Sequence, residues 1–276
     1  MTDLITRLDD AVKFIRSKVK IKANVGIVLG TGLGGLSKEV IVAATIPFNT
    51  IPHMGSTSAD SHKGQLIVGV LGKTPVLVMD GRLHGYEGHS AENIAFPVRL
   101  LAHLGCKKIV LSNAAGGLNL DWKQGDIAVL EDHINLPGFC GVNPLVGLKD
   151  DKLGPRILDM SEPYSRKLIK LAREAAKELD IKLRKGTYVM VFGPNLETAA
   201  EYRFLRGMGA DLVGMSTLPE VIAAKHMGAD VVAFSIVTDL CDPDHLEAVD
   251  LPRIIKAANA AEPKLTKLVK ELVSKL

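Results

Sequence analysis

Three alternating side chains in the segment 81–88 (Gly-Arg-Leu-His-Gly-Tyr-Glu-Gly) could point one way, and the first two of them could hold an anion. The guanidinium of Arg82 can fork onto two phosphate oxygens, and the imidazole of His84 can donate to phosphate or buffer its proton. Tyr86 falls on the same face if the segment is extended, because side chains alternate along a strand. The alternative is a solvated loop in which Glu87 forms an ion pair.

A glycine-rich segment, 30–35, adds a second set of donors. Its glycines let backbone N–H groups approach an anion closely, and Thr31 contributes a hydroxyl. The same letters satisfy the dinucleotide fingerprint G-x-G-x-x-G, which needs an acid about 20 residues later to hold a ribose. The segment 48–56 contains no acid. A dinucleotide-dependent oxidoreductase is therefore the weaker interpretation, and a plain strand-to-helix turn is a further alternative.

Two more segments combine small or hydroxyl residues with the end of an apolar run. The segment 112–118 (Ser-Asn-Ala-Ala-Gly-Gly-Leu) has paired glycines, so its backbone donors can meet a ligand. Ser216 lies just before a predicted helix, whose N-terminus attracts phosphate. An ordinary helix cap is the simpler explanation of Ser216 taken alone.

Two carboxylates, Glu197 and Asp239, also follow apolar runs. A carboxylate at position 197 could accept a hydrogen bond from the edge of a heterocyclic base, or it could simply favour the N-terminus of the next helix. The sequence shows neither a metal-ligand cluster nor the Ser, His and Asp order typical of hydrolases. A metal centre is therefore not expected.

All of these segments follow or adjoin short apolar runs. The runs are rich in Val and Ile, which is typical of buried strands. The predicted strands cover Val25–Leu29, Gln65–Leu71, 75–79, 108–112, 127–130, 187–192 and 231–237. Helical spacing occurs at 3–18, 91–104, 164–179, 197–208, Leu218–His226 and around 265–272. This alternation predicts the α/β class: one domain over 1–276, with a mixed central sheet flanked by helices. Since open α/β sheets bind ligands at strand ends, the segments should converge on one edge.

Composition narrows the function further. The formal charge is +3 and aromatic residues make up 4% of the chain, with no basic stripe, so nucleic acid is not an expected partner. No apolar run approaches about 18 residues, so no membrane span is expected, and the first residues do not resemble a signal peptide. Three widely spaced cysteines predict neither a disulfide framework nor a zinc site, and favour a cytoplasmic location. The Pro- and Gly-containing stretch 131–163 is interpreted as a functional or interface loop.

The chain resembles the trimeric purine nucleoside phosphorylases, a group that also holds the methylthioadenosine phosphorylases. The matching segments are GTGLGGL at 30–36, GRLHGYEGH at 81–89, SNAAGGLN at 112–119, DHINLPGF at 132–139, GTYVMVFGPNLET at 186–198 and GADLVGMSTLPEV at 209–221. They occur in order over nearly the whole chain. The resemblance implies a nucleoside phosphorylase-type fold, a homotrimer whose sites are completed by a neighbour, and phosphate as co-substrate without a cofactor.

The resemblance also implies roles for individual residues. The expected phosphate site comprises Thr31, His62, Arg82, His84, Ala114 and Ser216. Tyr86 and Met215 would hold the ribose. The base would meet Leu196, Glu197 at its N1 edge, and Asp239 at N7 and the 6-substituent. The residues expected to act in catalysis are His84, Glu197 and Asp239.

Four positions depart from the family pattern. The family often has Asn where Asp239 stands, and a His that meets the ribose 5′-hydroxyl where Leu251 is the nearest match. An aromatic residue that a neighbouring subunit commonly donates aligns with Ile157, and another at the base pocket aligns with Leu196. These departures bear on the choice of substrate and not on the reaction.

Glu197 and Asp239 favour different bases. An ionised Glu197 only accepts hydrogen bonds, so it would accept N1–H of hypoxanthine or guanine and repel the bare N1 of adenine. An ionised Asp239 would accept a 6-amino group, whereas a protonated Asp239 could donate to N7. A buried Glu197 charge left unpaired at N1 would cost more free energy than the loss of a weak contact at Asp239. We therefore predict phosphorolysis mainly of inosine and guanosine, with adenosine as a side substrate. The alternatives are a methylthioadenosine or adenosine phosphorylase, and a nucleoside-binding protein without catalysis.

Overall fold

A mixed β-sheet forms the centre of the chain. The computed structural model describes residues 3–20, 22–31, 34–58, 62–148 and 151–276. Over these residues the sheet has nine strands: β1 (Val25–Leu29), β2 (Val40–Pro47), β3 (Gln65–Leu71), β4 (Thr74–Asp80), β5 (Lys108–Gly117), β6 (Ile127–Asn135), β7 (Leu183–Met190), β8 (Leu212–Gly214) and β9 (Asp230–Leu240). Their order is β2-β3-β4-β1-β5-β8-β7-β6-β9. The prediction of a mixed α/β sheet is confirmed.

One end of the sheet closes on itself. In addition to its neighbours β1 and β8, strand β5 pairs with β9, so the strands β5, β8, β7, β6 and β9 form a ring of pairings. The β5–β9 pairing is parallel and runs from Lys108↔Asp230 to Gly117↔Leu240, with an irregularity after Ala115. This closure removes the exposed edge that β9 would otherwise present, and it brings the ends of β5 and β9 together.

Helices cover the sheet. They are α1 (Leu4–Lys18), α2 (Ala91–His103), α3 (Leu136–Phe139), α4 (Arg166–Glu178), α5 (Ala199–Gly207), α6 (Leu218–His226) and α7 (Leu251–Ser274). Helix α2 packs against α1 and α6, and α7 packs against β9 and α4. Side-chain caps define several starts, with Ser90 accepting from the Asn93 backbone and Thr198 forming a capping box with Glu201. No helix among these residues is long and apolar enough to cross a membrane.

The structure differs from the sequence-based prediction in several places. Strands β5 and β9 extend beyond the apolar runs, so most of the segment 112–118 and Asp239 lie within strands, not in loops after them. Strand β2 was missed although its sequence, VIVAATIP, is largely apolar, and most of its side chains are exposed or partly exposed. The three-residue strand β8 was missed as well. The supposed loop 131–163 begins with the end of β6 and the short helix α3.

Candidate active site

A cavity of about 500 Å³ lies where β5, β8 and β9 meet the segments that follow β1, β4 and β7. The residues that the sequence singled out and that line it are Thr31, Arg82, His84, Tyr86, Ala114, Leu196, Glu197, Met215, Ser216, Asp239 and Leu251. His62 stacks on the ring of His84, with ring centroids 5.3 Å apart. The closed ring of strands and the loops around it therefore collect side chains from most of the sequence into one site.

One end of the cavity is built around Arg82, which is 2% exposed. Its Nη1 donates to the Ser112 carbonyl at 2.6 Å and to the Ser216 hydroxyl at 3.2 Å, and its Nε donates to Glu220 at 3.3 Å. Nη2 lies 3.1 Å from Glu220 Oε2, but its geometry makes no hydrogen bond with any described residue. The guanidinium is thus held by Ser112, Ser216 and Glu220, and its positive charge at this end of the cavity suits an anion.

Close packing of the backbone also positions Arg82. A side chain at Gly30 would clash with the Ser112 carbonyl and would lie 2.8 Å from Nη1 of Arg82. The Gly30 N–H donates to the Ser112 hydroxyl at 3.1 Å. Glycine at position 30 therefore allows the close approach of β1 to β5. The sequence pattern alone had suggested that this glycine is needed for anion binding.

A chain of buried polar side chains holds Ser216 beside Arg82. Ser235 donates to Asn113 Oδ1 at 2.7 Å, Asn113 Nδ2 donates to the Thr217 hydroxyl at 2.9 Å, and the Thr217 and Ser216 hydroxyls are 3.1 Å apart. Thr217 has a backbone φ of 78°, which is unfavourable for a β-branched residue. Such strain persists where surrounding contacts over-determine it, and it is often found at functional sites.

His84 is neutral near neutral pH and its tautomer is set by Glu87. Burial lowers the pKa of His84 to about 4, although its hydrogen bond with Glu87 opposes that change. Burial would raise the pKa of Glu87, but hydrogen bonds from the Ser58 backbone and from His84 lower it to about 2. Nδ1 of His84 lies 2.8 Å from Glu87 Oε1, so Nδ1 carries the proton and donates to that carboxylate. Nε2 is therefore an acceptor.

The other end of the cavity carries two carboxylates. Burial raises the pKa of Glu197, opposed by hydrogen bonds from its own backbone and from Tyr202. Asp239 Oδ1 accepts from the Thr238 hydroxyl at 2.8 Å, and its Oδ2 lies 3.7 Å from the Cys241 sulfur. This end offers acceptors, whereas the Arg82 end offers donors, so the cavity is polarised along its length.

Aromatic and apolar side chains lie between and beside the two ends. Tyr86 stacks on His84 with ring centroids 4.7 Å apart, and Met215 lines the cavity next to Ser216. At the mouth, the first turns of α7 contribute Leu251 and Ile255, which are 60% and 37% exposed. The wall near Leu251 is therefore apolar. No group of three or more metal-ligating side chains occurs among the described residues.

Sequence reasoning gave no role in the site to Glu220, Tyr202 or Cys241. Glu220 is an acid in the otherwise apolar start of α6 and is 1% exposed, and such a residue requires a buried cationic partner. Tyr202 lies in the first turns of α5, one helical turn beyond the cap Thr198. Cys241 follows β9 and was considered only as a possible disulfide or metal residue.

Comparison with known proteins agrees with this fold. The chain matches the phosphorylase superfamily over residues 24–274. It is 40% identical over 272 residues to the purine nucleoside phosphorylase of Mus musculus, covering 97% of this chain and 94% of the relative. It is 43% identical over 221 residues to purine nucleoside phosphorylase 1 of Geobacillus stearothermophilus, covering 80% of each. The chain belongs to the purine nucleoside phosphorylase family.

Solved structures give the same result. A schistosoma purine nucleoside phosphorylase in complex with hypoxanthine superimposes with a TM-score of 0.95 at 38% identity, covering 100% of this chain and 99% of that one. The Schistosoma mansoni enzyme in complex with adenosine gives a TM-score of 0.93 at 38% identity, covering 99% and 98%. The predicted family, fold and enzyme class are confirmed, whereas the roles of individual site residues remain predictions.

Proposed function

We propose that this enzyme catalyses the reversible phosphorolysis of purine ribonucleosides and 2′-deoxyribonucleosides, mainly inosine and guanosine. The observation that carries the proposal is the polarised cavity: donors around Arg82 at one end, carboxylates at Glu197 and Asp239 at the other. The pentose would lie between these two ends of the cavity, whose volume is about 500 Å³. Related enzymes have been crystallised with hypoxanthine and with adenosine, which supports a purine as part of the substrate.

In the proposed reaction, a phosphate oxygen attacks C1′ as the C1′–N9 bond breaks. The electron pair of that bond moves to the purine, and positive charge develops on the sugar. Hydrogen phosphate dianion supplies both the nucleophile and, in the overall balance, the proton that the free purine gains. The products are the neutral base and pentose 1-phosphate dianion. No metal or organic cofactor enters this scheme.

The phosphate end would act through position and charge. Arg82, Ser216 and Thr31 would donate to phosphate oxygens, and the backbone at Ala114 would add an N–H. Nε2 of His84, as an acceptor, would take the P–OH hydrogen bond and so orient the hydrogen phosphate. Because the site would hold the phosphate against C1′, the entropy cost of bringing phosphate and nucleoside together would be met on binding and not in the chemical step.

The sugar would lie between Tyr86 and Met215, and the base would meet Glu197 and Asp239. As a carboxylate, Glu197 accepts N1–H of a 6-oxopurine and also the 2-amino group of guanine. Asp239 already receives the Thr238 hydroxyl, so as a carboxylate it would accept a 6-amino group. This arrangement supports inosine and guanosine as the main substrates and adenosine as a side substrate.

A phosphate dependence test decides the reaction. The full chain is incubated with inosine, with and without inorganic phosphate, and release of hypoxanthine is followed. We expect release that rises with phosphate concentration and saturates. Equal release without phosphate would indicate a hydrolase, and binding of inosine without turnover would indicate a binding protein. Protection by NAD against thermal unfolding would favour the oxidoreductase interpretation.

We also propose a homotrimer located in the cytoplasm. Large apolar side chains project from the segment after β6, where Phe139 is 77%, Val146 70% and Ile157 85% exposed, and such a set suits contact with a neighbouring subunit. All three cysteines are free, and Cys140 is exposed, which suits a reducing compartment. Light scattering tests the assembly: a monomer with full activity contradicts it.

A further inference from the structure

The glycine-rich segment after β1 is held at both of its ends. At the first end, the N–H of Gly30 donates to the Ser112 hydroxyl at 3.1 Å. At the second end, the N–H of Gly35 donates to the carboxylate of Glu262, a residue of α7 that is 227 positions away in the chain. Thr31, which lines the cavity, lies between these two fixed points, so its placement depends on both.

The contact between Gly35 and Glu262 leaves no room for a side chain at position 35. An added Cβ would lie 2.7 Å from Oε1 and 2.9 Å from Cδ of Glu262, so it would displace the carboxylate from the N–H. The sequence pattern suggests that the backbone donors of this segment serve an anion. In the structure, the N–H of Gly35 serves a carboxylate of the protein itself.

Helix α7 gives Glu262 a fixed base. Just beyond Glu262 the helix is packed in the core, where Leu265 and Leu268 are fully buried. A second contact between α7 and the turn that follows the glycines is the ion pair of Lys270 with Glu39, which is exposed and therefore contributes little. Because the carboxylate of Glu262 is partly buried, its hydrogen bond is the stronger polar tie of the two.

We propose that Glu262 is a positioning residue for the phosphate site, because its hydrogen bond to the Gly35 N–H fixes the glycine-rich segment where Thr31 can reach phosphate. The proposal rests on the phosphate-binding role of Thr31 in the proposed function. Without this acceptor, the segment would have to be ordered when phosphate binds, and that cost would weaken phosphate affinity. Since the effect depends on an acceptor and not on a charge, a neutral acceptor at position 262 should serve nearly as well.

Glu262→Ala, Glu262→Gln and Gly35→Ala test this against the wild type. Gly35→Ala places a methyl group against the carboxylate while leaving Glu262 in the chain. Gly34→Ala is the matched control, because its added methyl group would lie 3.9 Å from Glu262 Oε1, which is an ordinary van der Waals contact. For each full-length variant, kcat and the KM values for phosphate and inosine are measured. Phosphate affinity is also measured without turnover, from the rise in unfolding temperature with phosphate concentration.

In Glu262→Ala and Gly35→Ala we expect the KM for phosphate to rise about fivefold to tenfold, with kcat and the KM for inosine changed by less than about twofold. Glu262→Gln should keep the KM for phosphate within about twofold of the wild type, and Gly34→Ala should match the wild type. An unchanged KM for phosphate in Glu262→Ala and Gly35→Ala, or an equal rise in Gly34→Ala, would overturn the proposal while leaving phosphorolysis intact. Equal rises in the KM for phosphate and for inosine would also overturn it. A wild-type enzyme without phosphate-dependent cleavage of inosine would overturn the proposed function as well.

Discussion

The Arg82 guanidinium and the Glu220 carboxylate form an ion pair inside the protein, with Nη2 and Oε2 3.1 Å apart and the two side chains 2% and 1% exposed. Burial raises the pKa of Glu220, and the charge of Arg82 opposes that rise. Removing one partner of a buried pair leaves an uncompensated charge, which is more costly than removing both. The pair therefore links the phosphate end of the cavity to the stability of the fold.

Arg82→Ala should lower both phosphate affinity and stability. We expect the free energy of unfolding to fall by about 3–5 kcal/mol, because Glu220 loses its counter-charge, and the KM for phosphate to rise sharply. Urea unfolding and steady-state kinetics measure the two effects. Adding Glu220→Gln to Arg82→Ala should recover much of the stability but none of the phosphate affinity. Phosphate kinetics unchanged in Arg82→Ala would refute the assignment of this residue.

His84 should contribute to the pH dependence of stability. Its pKa is about 4 in the folded protein, because of burial, against 6.5 as the ordinary value. As the pH falls from 6.5 toward 4, the unfolded chain binds a proton that the folded chain does not, so stability that is complete above 6.5 is progressively lost. Between pH 7 and pH 5 the His84 share is about 2 kcal/mol.

His84→Gln should reduce the loss of stability between pH 7 and pH 5 by that amount. Urea unfolding at both pH values measures it. His133, whose pKa burial also lowers to about 4, contributes in the same window and stays in both proteins, so only the difference between them is informative. Glu87, with a pKa of about 2, acts below this window. Equal losses in the variant and the wild type would contradict the assignment.

Asp239→Asn should strengthen the preference for 6-oxopurines. An amide can donate to N7 or O6, whereas a carboxylate only accepts and therefore disfavours O6. We expect the ratio of inosine to adenosine kcat/KM to rise about tenfold, equivalent to about 1.4 kcal/mol. Inosine, guanosine, adenosine and methylthioadenosine should be compared in both proteins. A ratio that falls or does not move would show that Asp239 does not face the 6-substituent.

Gly30→Ala should disturb the phosphate end through packing alone. The added methyl group would meet the Ser112 carbonyl, which is backbone and cannot move aside easily, so we expect a loss of about 1–3 kcal/mol together with weaker phosphate binding. Gly207→Ala is the control, because nothing lies within 4 Å of its added methyl group and alanine favours a helix. Thermal unfolding compares the stabilities of the Gly30→Ala and Gly207→Ala variants. A stable Gly30→Ala with normal phosphate kinetics would contradict the close approach described above.

Much of the local structure was evident in the sequence. The runs at Val25–Leu29 and Gln65–Leu71 are strands with the predicted bounds, and Leu218–His226 is a helix with the predicted bounds. These elements could be predicted because a buried strand requires an apolar run and a helix with one buried face requires regularly spaced apolar residues. Both patterns are visible within a few residues of sequence. The segments that the sequence selected for chemistry also proved to line one cavity.

Contacts between distant residues were decided only by the tertiary structure. Arg82 and Glu220 are 138 positions apart, and neither residue indicates the other in the sequence. The pairing of β5 with β9, which closes the ring of strands, likewise depends on packing that no local pattern encodes. Local periodicity reports which residues are buried, whereas their partners are set by how the whole chain packs.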